Sequence, residues 1–432
     1  MLNPFSHLDS KTICSAAEQF ATPFYLYEER AIVDKCHLLL DMPHPYGLTV
    51  RYAIKANPTR ALLALIGKEG LSFDASSTNE ALRAHRAGIA YSDIMLTSQE
   101  VPQGEALTLL QQMMQSGLKY TVSSLQQLKN IAKLPNISGT RLAIRVHPGI
   151  GSGESASRNT GDSYACFGVH RDDLATAISY AWAMNLIFDK IHCHIGSGAD
   201  MTIWQDNIDR QLQLVAEHFP HAHSVSFGGG LAEARMPAET AADIMVLGAY
   251  AKERLLHFYR QTGRKLHMEI EPGTFIIANA GYVVTRVIDI KKTGRDGLNF
   301  IVCDGGMDLN TRPLLYASQH PFYVVSQSGE LLFSEFYNEA STAYSAVVVG
   351  SCCESGDSQT LNLYGQNMPR SIAEPCIGDY LVIGGCGAYC SSMSLHGYNS
   401  HPQAAELLLT SRGELCEIRA RQTLEQLLVN EK

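Results

Sequence analysis

Lys55 closes the apolar run TVRYAI and stands three residues ahead of a proline in YAIKANP. An amine at the end of a buried strand can do chemistry that a surface amine cannot, because desolvation or a neighbouring cation lowers its pKa and makes it a Schiff-base nucleophile. The competing reading is structural: many lysines close strands by laying an apolar stem along the surface and putting the charge in water. Other reactive or ligand-binding residue types also follow apolar runs: His194 and Ser197 in KIHCHIGSG, Gly228, Gly229 and Gly230 after SVSF, and Glu271 at the end of KLHMEI. Three successive glycines let backbone N–H groups approach an anion with no Cβ in the way, and with Gly196 and Ser197 they form a candidate phosphate cradle, against the alternative of a flexible turn. His194 alone reads equally as a core histidine, and Glu271 as a buried partner for any cation, but Pro272 and Gly273 set a turn that aims its carboxylate.

These positions need a scaffold that brings strand ends together. Between about residues 25 and 280, nine short apolar runs (FYLY, TVRYAIKA, LSFDAS, DIMLTS, YTVSS, RLAIRV, KIHCHIGSG, SVSFGGG and KLHMEIEPG) alternate with segments such as TNEALRAHRAG, whose apolar residues recur at three- and four-residue spacing. Repeated βα units in this number predict a parallel (β/α)₈ TIM barrel, in which chemistry gathers at the C-terminal ends of the strands. Beyond residue 280 the pattern turns β-rich, with AGYVVTRVIDIKKT, NFIVCDGG, HPFYVVSQ, SAVVVGS and DYLVIGG. The expected organisation is therefore an α/β barrel over 25–280 followed by a mainly antiparallel β-barrel or sandwich domain over 281–432. The spaced G-x-G-x-x-G of a dinucleotide-binding turn is missing.

A chain of 432 residues exceeds what one hydrophobic core usually serves, and 45% hydrophobic with 18% charged residues describes an ordinary folded protein. With 34 basic and 43 acidic residues the net charge is −9, and no Lys/Arg block interrupts it, which argues against nucleic acid or an anionic membrane as partner. The N-terminal MLNPFSHLDSKTICSAAEQF does not have the form of a signal peptide, and no apolar run reaches membrane-spanning length, so a cytoplasmic protein is expected. Eleven cysteines, an odd number without a C-x-x-C pair, predict reduced thiols rather than disulfides or a zinc cage; no metal is expected. GSCCESGDS (350–358) places two thiols, two carboxylates and hydroxyls together, as a polar turn or as a site, and CGAYCSSMSLHGYN (386–399) adds a second polar stretch.

Taken in order, YAIKANP, HIGSG, FGGGL, EPG, CDGGMDLNTRPLLY, GSCCESGD and GAYCSSMSLHGYNSHP resemble the pyridoxal-phosphate-dependent decarboxylases that include diaminopimelate decarboxylase and the ornithine/arginine-type enzymes, with RPLLY and CESGD pointing to the diaminopimelate branch. The resemblance spans nearly the whole chain. It implies an alanine-racemase-like barrel and a β domain to which residues 1–24 also contribute, and a homodimer whose active sites are shared between subunits. It implies that Lys55 holds pyridoxal 5'-phosphate as a Schiff base, that His194 stacks on the pyridine ring, and that Ser197, Gly228, Gly229, Gly230 and Tyr398 surround the phosphate. By the same carry-over Glu271 pairs with the protonated pyridine nitrogen, Cys353 donates a proton to the decarboxylated carbon, Glu354 meets the distal end of the substrate, and Asp74 and Glu80 of FDASSTNE lie near the cofactor. A carboxylate on the pyridine nitrogen suits decarboxylation, whereas a cationic partner would suit racemisation.

The departures bear on the substrate. Thr274 stands after EPG and Gln403 after YNSH-P, where the diaminopimelate branch usually has arginine, and a threonine cannot replace a guanidinium fork on a carboxylate. Arg312 and Tyr316 of RPLLY remain for that carboxylate. The Gly/Ser-rich stretch 149–170, carrying Arg158 and Asp162, is longer than is usual for the branch and reads as a lid or as an idle insertion. The expected activity is decarboxylation of a diamino acid, with meso-diaminopimelate and its product lysine leading. Decarboxylation of D-lysine, D-ornithine or a carrier-linked amino acid is the alternative, and an inactive cofactor-binding regulatory protein the reading outside the class.

Overall fold

The computed structural model describes residue 3 and residues 6–152, 159–337 and 344–432. The chain divides into two compact units, one made of Lys35–Ala232 with Thr240–Phe275, the other of Met1–Asp34, Glu233–Glu239 and Ile276–Lys432.

The second of these units contains β1 (Phe24–Glu28), whose five residues are all buried. Its sheet is completed late in the sequence by β10 (Gly281–Lys292), β11 (Asn299–Cys303), β12 (Phe322–Val325), β13 (Leu331–Ser334), β14 (Tyr344–Val349), β15 (Arg370–Ile372), β16 (Tyr380–Ile383), β17 (Ala405–Leu409) and β18 (Leu415–Arg419). The main path runs β13-β12-β16-β10-β1-β17-β18, with β11, β14 and β15 continuing from β10. Pairing is mainly antiparallel, as the alternating β-rich pattern predicts, but β1 runs parallel to β17 and β11 parallel to β14. Phe24, Leu26, Tyr282, Val284, Val382 and Leu407 meet on one face with Ile13 and Ala16 of the helix Ser10–Phe20. Each large side chain so buried contributes about 1.5–3 kcal/mol by leaving water.

The other unit is a closed parallel barrel of eight strands: β2 (Leu48–Ala53), β3 (Ser72–Ala75), β4 (Ile94–Thr97), β5 (Lys119–Val122), β6 (Arg141–Arg145), β7 (Ile187–His192), β8 (Ser224–Ser226) and β9 (His267–Ile270). β9 pairs with β2 to close it, Leu48 against Met268 and Val50 against Ile270. Its helices begin where the sequence supplies caps. Ser77 accepts the N–H of Glu80, Asp200 that of Thr202, and Asp243 those of Met245 and Val246. One expectation needs correcting. Nine apolar runs compete for eight barrel places, and FYLY, read as part of the βα series, is β1 of the β-rich unit instead. A strand buried on both faces shows a continuous apolar run in either setting, so its partners, not its pattern, decide where it belongs.

No helix among the described residues is long and apolar enough to cross a membrane. All eleven cysteines are free. Of the 149–170 stretch, Arg158 lies outside the described residues. The flanks that are described are tied down, with Ser152 N–H donating to the carbonyl of Ile195 at 2.6 Å and Asn159 bridging to Gly196.

Candidate active site

Barrel strands run parallel, so residues just past their ends share one rim. Lys55 lies in the single 3-10 turn Ile54–Ala56 that follows β2 and is exposed. Asp74 is on β3, His194 and Ser197 follow β7, Gly228 to Gly230 follow β8, and Glu271 follows β9. This is the C-terminal rim, where barrels of this kind assemble their sites. Thr274 begins the short helix Thr274–Ile277 just beyond.

The three glycines are required by close packing more than by flexibility. A Cβ on Gly229 would stand 2.0 Å from the carbonyl oxygen of Glu271, and one on Gly230 would stand 1.7 Å from that of Gly196, at a φ of +88°. Two of the three amides already have partners: Gly228 donates to Ser226 Oγ at 3.3 Å and Gly229 to His194 Nδ1 at 3.0 Å. That leaves Gly230 as the one amide of the run with no protein acceptor among the described residues. Gly230→Ala is expected to destabilise the protein by about 3 kcal/mol, through overpacking and a left-handed backbone, read as a lowered urea midpoint.

Glu271 is buried beneath this rim. Ser226 donates to its Oε1 at 2.7 Å, and His192 Nε2 lies 2.9 Å from Oε2. Burial alone would raise its pKa, but His192, the charge of Lys190 and the Ser226 hydroxyl outweigh it and hold the carboxyl well below its usual range. His194 behaves oppositely: burial, then the charges of Lys55 and Arg145, keep it well below the usual imidazole range and therefore neutral. Its Nδ1 accepts the Gly229 N–H, so in the neutral ring the proton sits on Nε2.

Asp74 is the third group whose proton is displaced. Burial and repulsion from Glu271 push its carboxyl up to about 8, with Lys55 opposing, and Oδ1 has no hydrogen-bond partner among the described residues. Its folded pKa stands above the unfolded 3.8, so the contribution to stability is full below that pH and is lost as pH climbs to about 8. Asp74→Asn is expected to flatten that decline and to raise stability at pH 8, measured by urea unfolding across the pH range before cofactor is added. Glu80 has a structural position: its carboxylate accepts the N–H of Ser76 at 2.6 Å and its own N–H goes to Ser77, which closes the first turn of the helix after β3.

Several residues around Glu271 carry no motif and escape a reading by sequence. His192 and Ser226 touch Glu271 directly. Arg145, at the end of β6, lies over the ring of Phe167 at 4.8 Å. Deeper on the barrel axis, Arg51 Nε and Lys190 Nζ both reach Glu269 Oε2, at 2.6 and 2.5 Å. The available signal was the alternation itself: TVR, KIH and HMEI each place a polar residue at every second position, as strands with one polar and one apolar face do.

The β-rich unit holds a second set. Cys353 is exposed, and its N–H donates to Asn399 Oδ1 at 2.7 Å. The Tyr398 hydroxyl donates to Glu354 Oε2 at 3.1 Å, so Tyr398, expected near the cofactor phosphate, is paired in this structure with Glu354. Asp357 shapes the loop from within, accepting from Cys352 N–H at 2.8 Å and Met307 N–H at 2.7 Å. The two adjacent thiols therefore differ. Cys352 is buried, and burial together with Asp308 and Asp357 pushes its thiol up to about 12, which leaves it a packing residue. Arg312 is 3% exposed, lies over the ring of Tyr316 and donates to Ser318 Oγ at 3.3 Å.

Comparison with known proteins gives a consistent result. Residues 30–278 match the family described as pyridoxal-dependent decarboxylase, pyridoxal binding domain. The chain is 31% identical to diaminopimelate decarboxylase of Escherichia coli K12, over 98% of this chain and 97% of that protein. A crystal structure of a diaminopimelate decarboxylase superposes with a TM-score of 0.89 at 29% identity, covering 99% of both chains. The Helicobacter pylori diaminopimelate decarboxylase complexed with L-lysine superposes at 0.80 with 26% identity, over 96% of this chain and 98% of that one.

Proposed function

We infer, since the chain belongs to the pyridoxal-dependent decarboxylases on their diaminopimelate decarboxylase branch, that it converts meso-diaminopimelate to L-lysine with release of CO₂. The observation that carries this reading is Glu271, a buried carboxylate held ionised at the barrel rim that Lys55 also occupies. The residues present fit pyridoxal phosphate. The rim offers an exposed amine, a neutral imidazole, a glycine run too tight for any Cβ and a buried Asp74 oxygen without a partner among the described residues. When bound, the cofactor supplies a ring that accepts the electron pair left on the α-carbon as CO₂ departs.

Each protein group then has a defined task. Lys55 would hold the cofactor by its amine, and His194, kept uncharged, would lie against the ring without competing for its proton. Ser197 with the Gly228–Gly230 turn would receive the phosphate, the Gly230 amide being the one not already engaged. Glu271 would keep a proton on the pyridine nitrogen. Its Ser226 and His192 contacts support that task by fixing where the carboxylate points. Cys353, exposed beside Glu354, would return a proton to the decarboxylated carbon, and Glu354, Arg312, Tyr316 and Thr274 would recognise the rest of the substrate. We assign the assembly as a homodimer with the site shared between subunits, working in the cytoplasm with no nucleic-acid or membrane partner.

Thr274 favours a second reading. It brings no charge to a distal carboxylate, and Arg312 is buried with a donor already given to Ser318, features that would suit D-lysine or D-ornithine instead. CO₂ release from meso-diaminopimelate, D-lysine, D-ornithine, L-lysine and L-ornithine, offered side by side to protein with pyridoxal phosphate, separates the two. Turnover of diaminopimelate alone is expected; equal or faster turnover of the D-monocarboxylic acids would replace it with the second reading.

A further inference from the structure

Residues 194–198, which carry Ser197, are held from two sides. On one side is the glycine run: Gly198 N–H donates to the carbonyl of Gly230 at 3.1 Å, and Gly198 bridges in parallel to Leu231. On the other side are two flanks of the 149–170 stretch. Ser152 bridges to Gly196 in parallel and Asn159 bridges to the same Gly196 in antiparallel. Ser152 N–H reaches the Ile195 carbonyl at 2.6 Å, and Thr160 Oγ1 donates to the His194 carbonyl at 3.4 Å. The flanks are also fastened to each other. Asn159 Oδ1 accepts the N–H groups of Gly161 and Asp162, at 3.0 and 3.2 Å, and its Nδ2 donates to Asp162 Oδ2 at 2.9 Å. The same side chain lies against Gly151 of the first flank, where a Cβ would stand 1.8 Å from Oδ1, and a Cβ on Gly198 would stand 2.2 Å from Ser152 Oγ.

We propose that Ser152 and Asn159 make these flanks a clamp on the 194–198 turn: it fixes the turn in the form that receives the cofactor phosphate, so the 149–170 stretch governs how tightly pyridoxal phosphate is held rather than how substrate enters. The inference rests on the function proposed above. Its physical basis is ordering. The turn lies between β7 and the helix Met201–His218, outside both, and Gly196 at a φ of +104° has a freedom that other residues lack. A backbone that must be ordered as the ligand arrives costs affinity, and one ordered beforehand does not. Pairings from the two flanks and the glycine run place that order in the protein itself. Asn159 is thus a positioning residue, acting on the phosphate site through Gly196. An idle insertion would leave the turn alone, and a substrate lid would need to part from it; these flanks are paired to its backbone.

Pyridoxal phosphate and pyridoxal, which lacks the phosphate, make the test specific. Asn159→Ala is expected to raise the Kd for pyridoxal phosphate about tenfold in equilibrium dialysis, the factor that ordering the backbone of one residue represents. The Kd for pyridoxal is expected not to move, nor the KM for meso-diaminopimelate once cofactor is saturating. Gly151→Ala, whose methyl would displace the Asn159 side chain, is expected to behave alike. In cofactor-free protein, amide hydrogen exchange should quicken at residues 194–198 in both variants and stay as it is in the barrel strands. A wild-type Kd for pyridoxal phosphate in both variants, an equal loss for pyridoxal, or a raised KM with cofactor affinity intact each overturns the proposal, the last by making the stretch a substrate lid. A wild type that does not bind pyridoxal phosphate would instead overturn the function, while exchange at 194–198 would still report on the clamp.

Discussion

Lys55→Ala is expected to cut CO₂ release at least about a thousandfold, the scale on which an enzyme loses rate when the group bonded to its reacting partner is removed. Borohydride should fix pyridoxal phosphate to the wild type and leave Lys55→Ala unlabelled. Charge and nucleophile can be separated here, because Lys55 acts on its surroundings in both ways. Its ammonium holds down the pKa of Asp74 and of His194. Lys55→Arg keeps the cation, and so keeps those neighbours as they are, but a guanidinium does not form the bond. Activity retained in Lys55→Arg would mean that the residue works by charge alone, and the assignment of the amine would be wrong.

Glu271→Gln is expected to lower kcat by about 10²–10³, the usual effect of deleting one buried group aimed at charge in the reacting centre. The amide can still accept from Ser226 Oγ, so position survives while charge is lost. The substitution also removes the repulsion that helps push Asp74 up to about 8, so Asp74 should ionise at lower pH in the variant. A pH–rate profile measures both consequences. A kcat that stays within a fewfold of the wild type across the profile would show that Glu271 is not the carboxylate on which the reaction depends.

Much of this arrangement was legible before any coordinates. The βα rhythm identified the barrel, and Lys55, His194, the glycine run and Glu271 stood out because reactive types after apolar runs fall at strand ends, which the barrel gathers on one rim. FYLY was misassigned for a physical reason already noted: both of its faces are buried, so its sequence lacks the alternation that would report its surroundings. The close packing of the glycines was not legible, since it is set by the Glu271 and Gly196 carbonyls, which the sequence does not place nearby. The Arg51–Glu269–Lys190 layer was invisible because it joins strands whose neighbours across the closed barrel are set by three-dimensional closure, not by local pattern. Cys352 and Cys353 look alike in the chain and differ only once Asp357 has turned the backbone between them.

The place of β1 bears on the order in which the molecule can be made. Phe24 is in register with Val284 on one side and with Ala405 on the other. A ribosome adding about 5–20 residues per second delivers β17 on the order of 20–80 s after β1 has left the exit tunnel. In that interval the entire barrel sequence emerges, and it closes on itself without needing either end of the chain. β1 meanwhile waits as four apolar or aromatic residues and a glutamate with both hydrogen-bonding edges unsatisfied, a segment of the type that nascent-chain chaperones bind. The half of the protein that carries the glycine cradle is thus free to mature early, while the half that carries the CESGD loop must wait for its first strand to be met by its last but one.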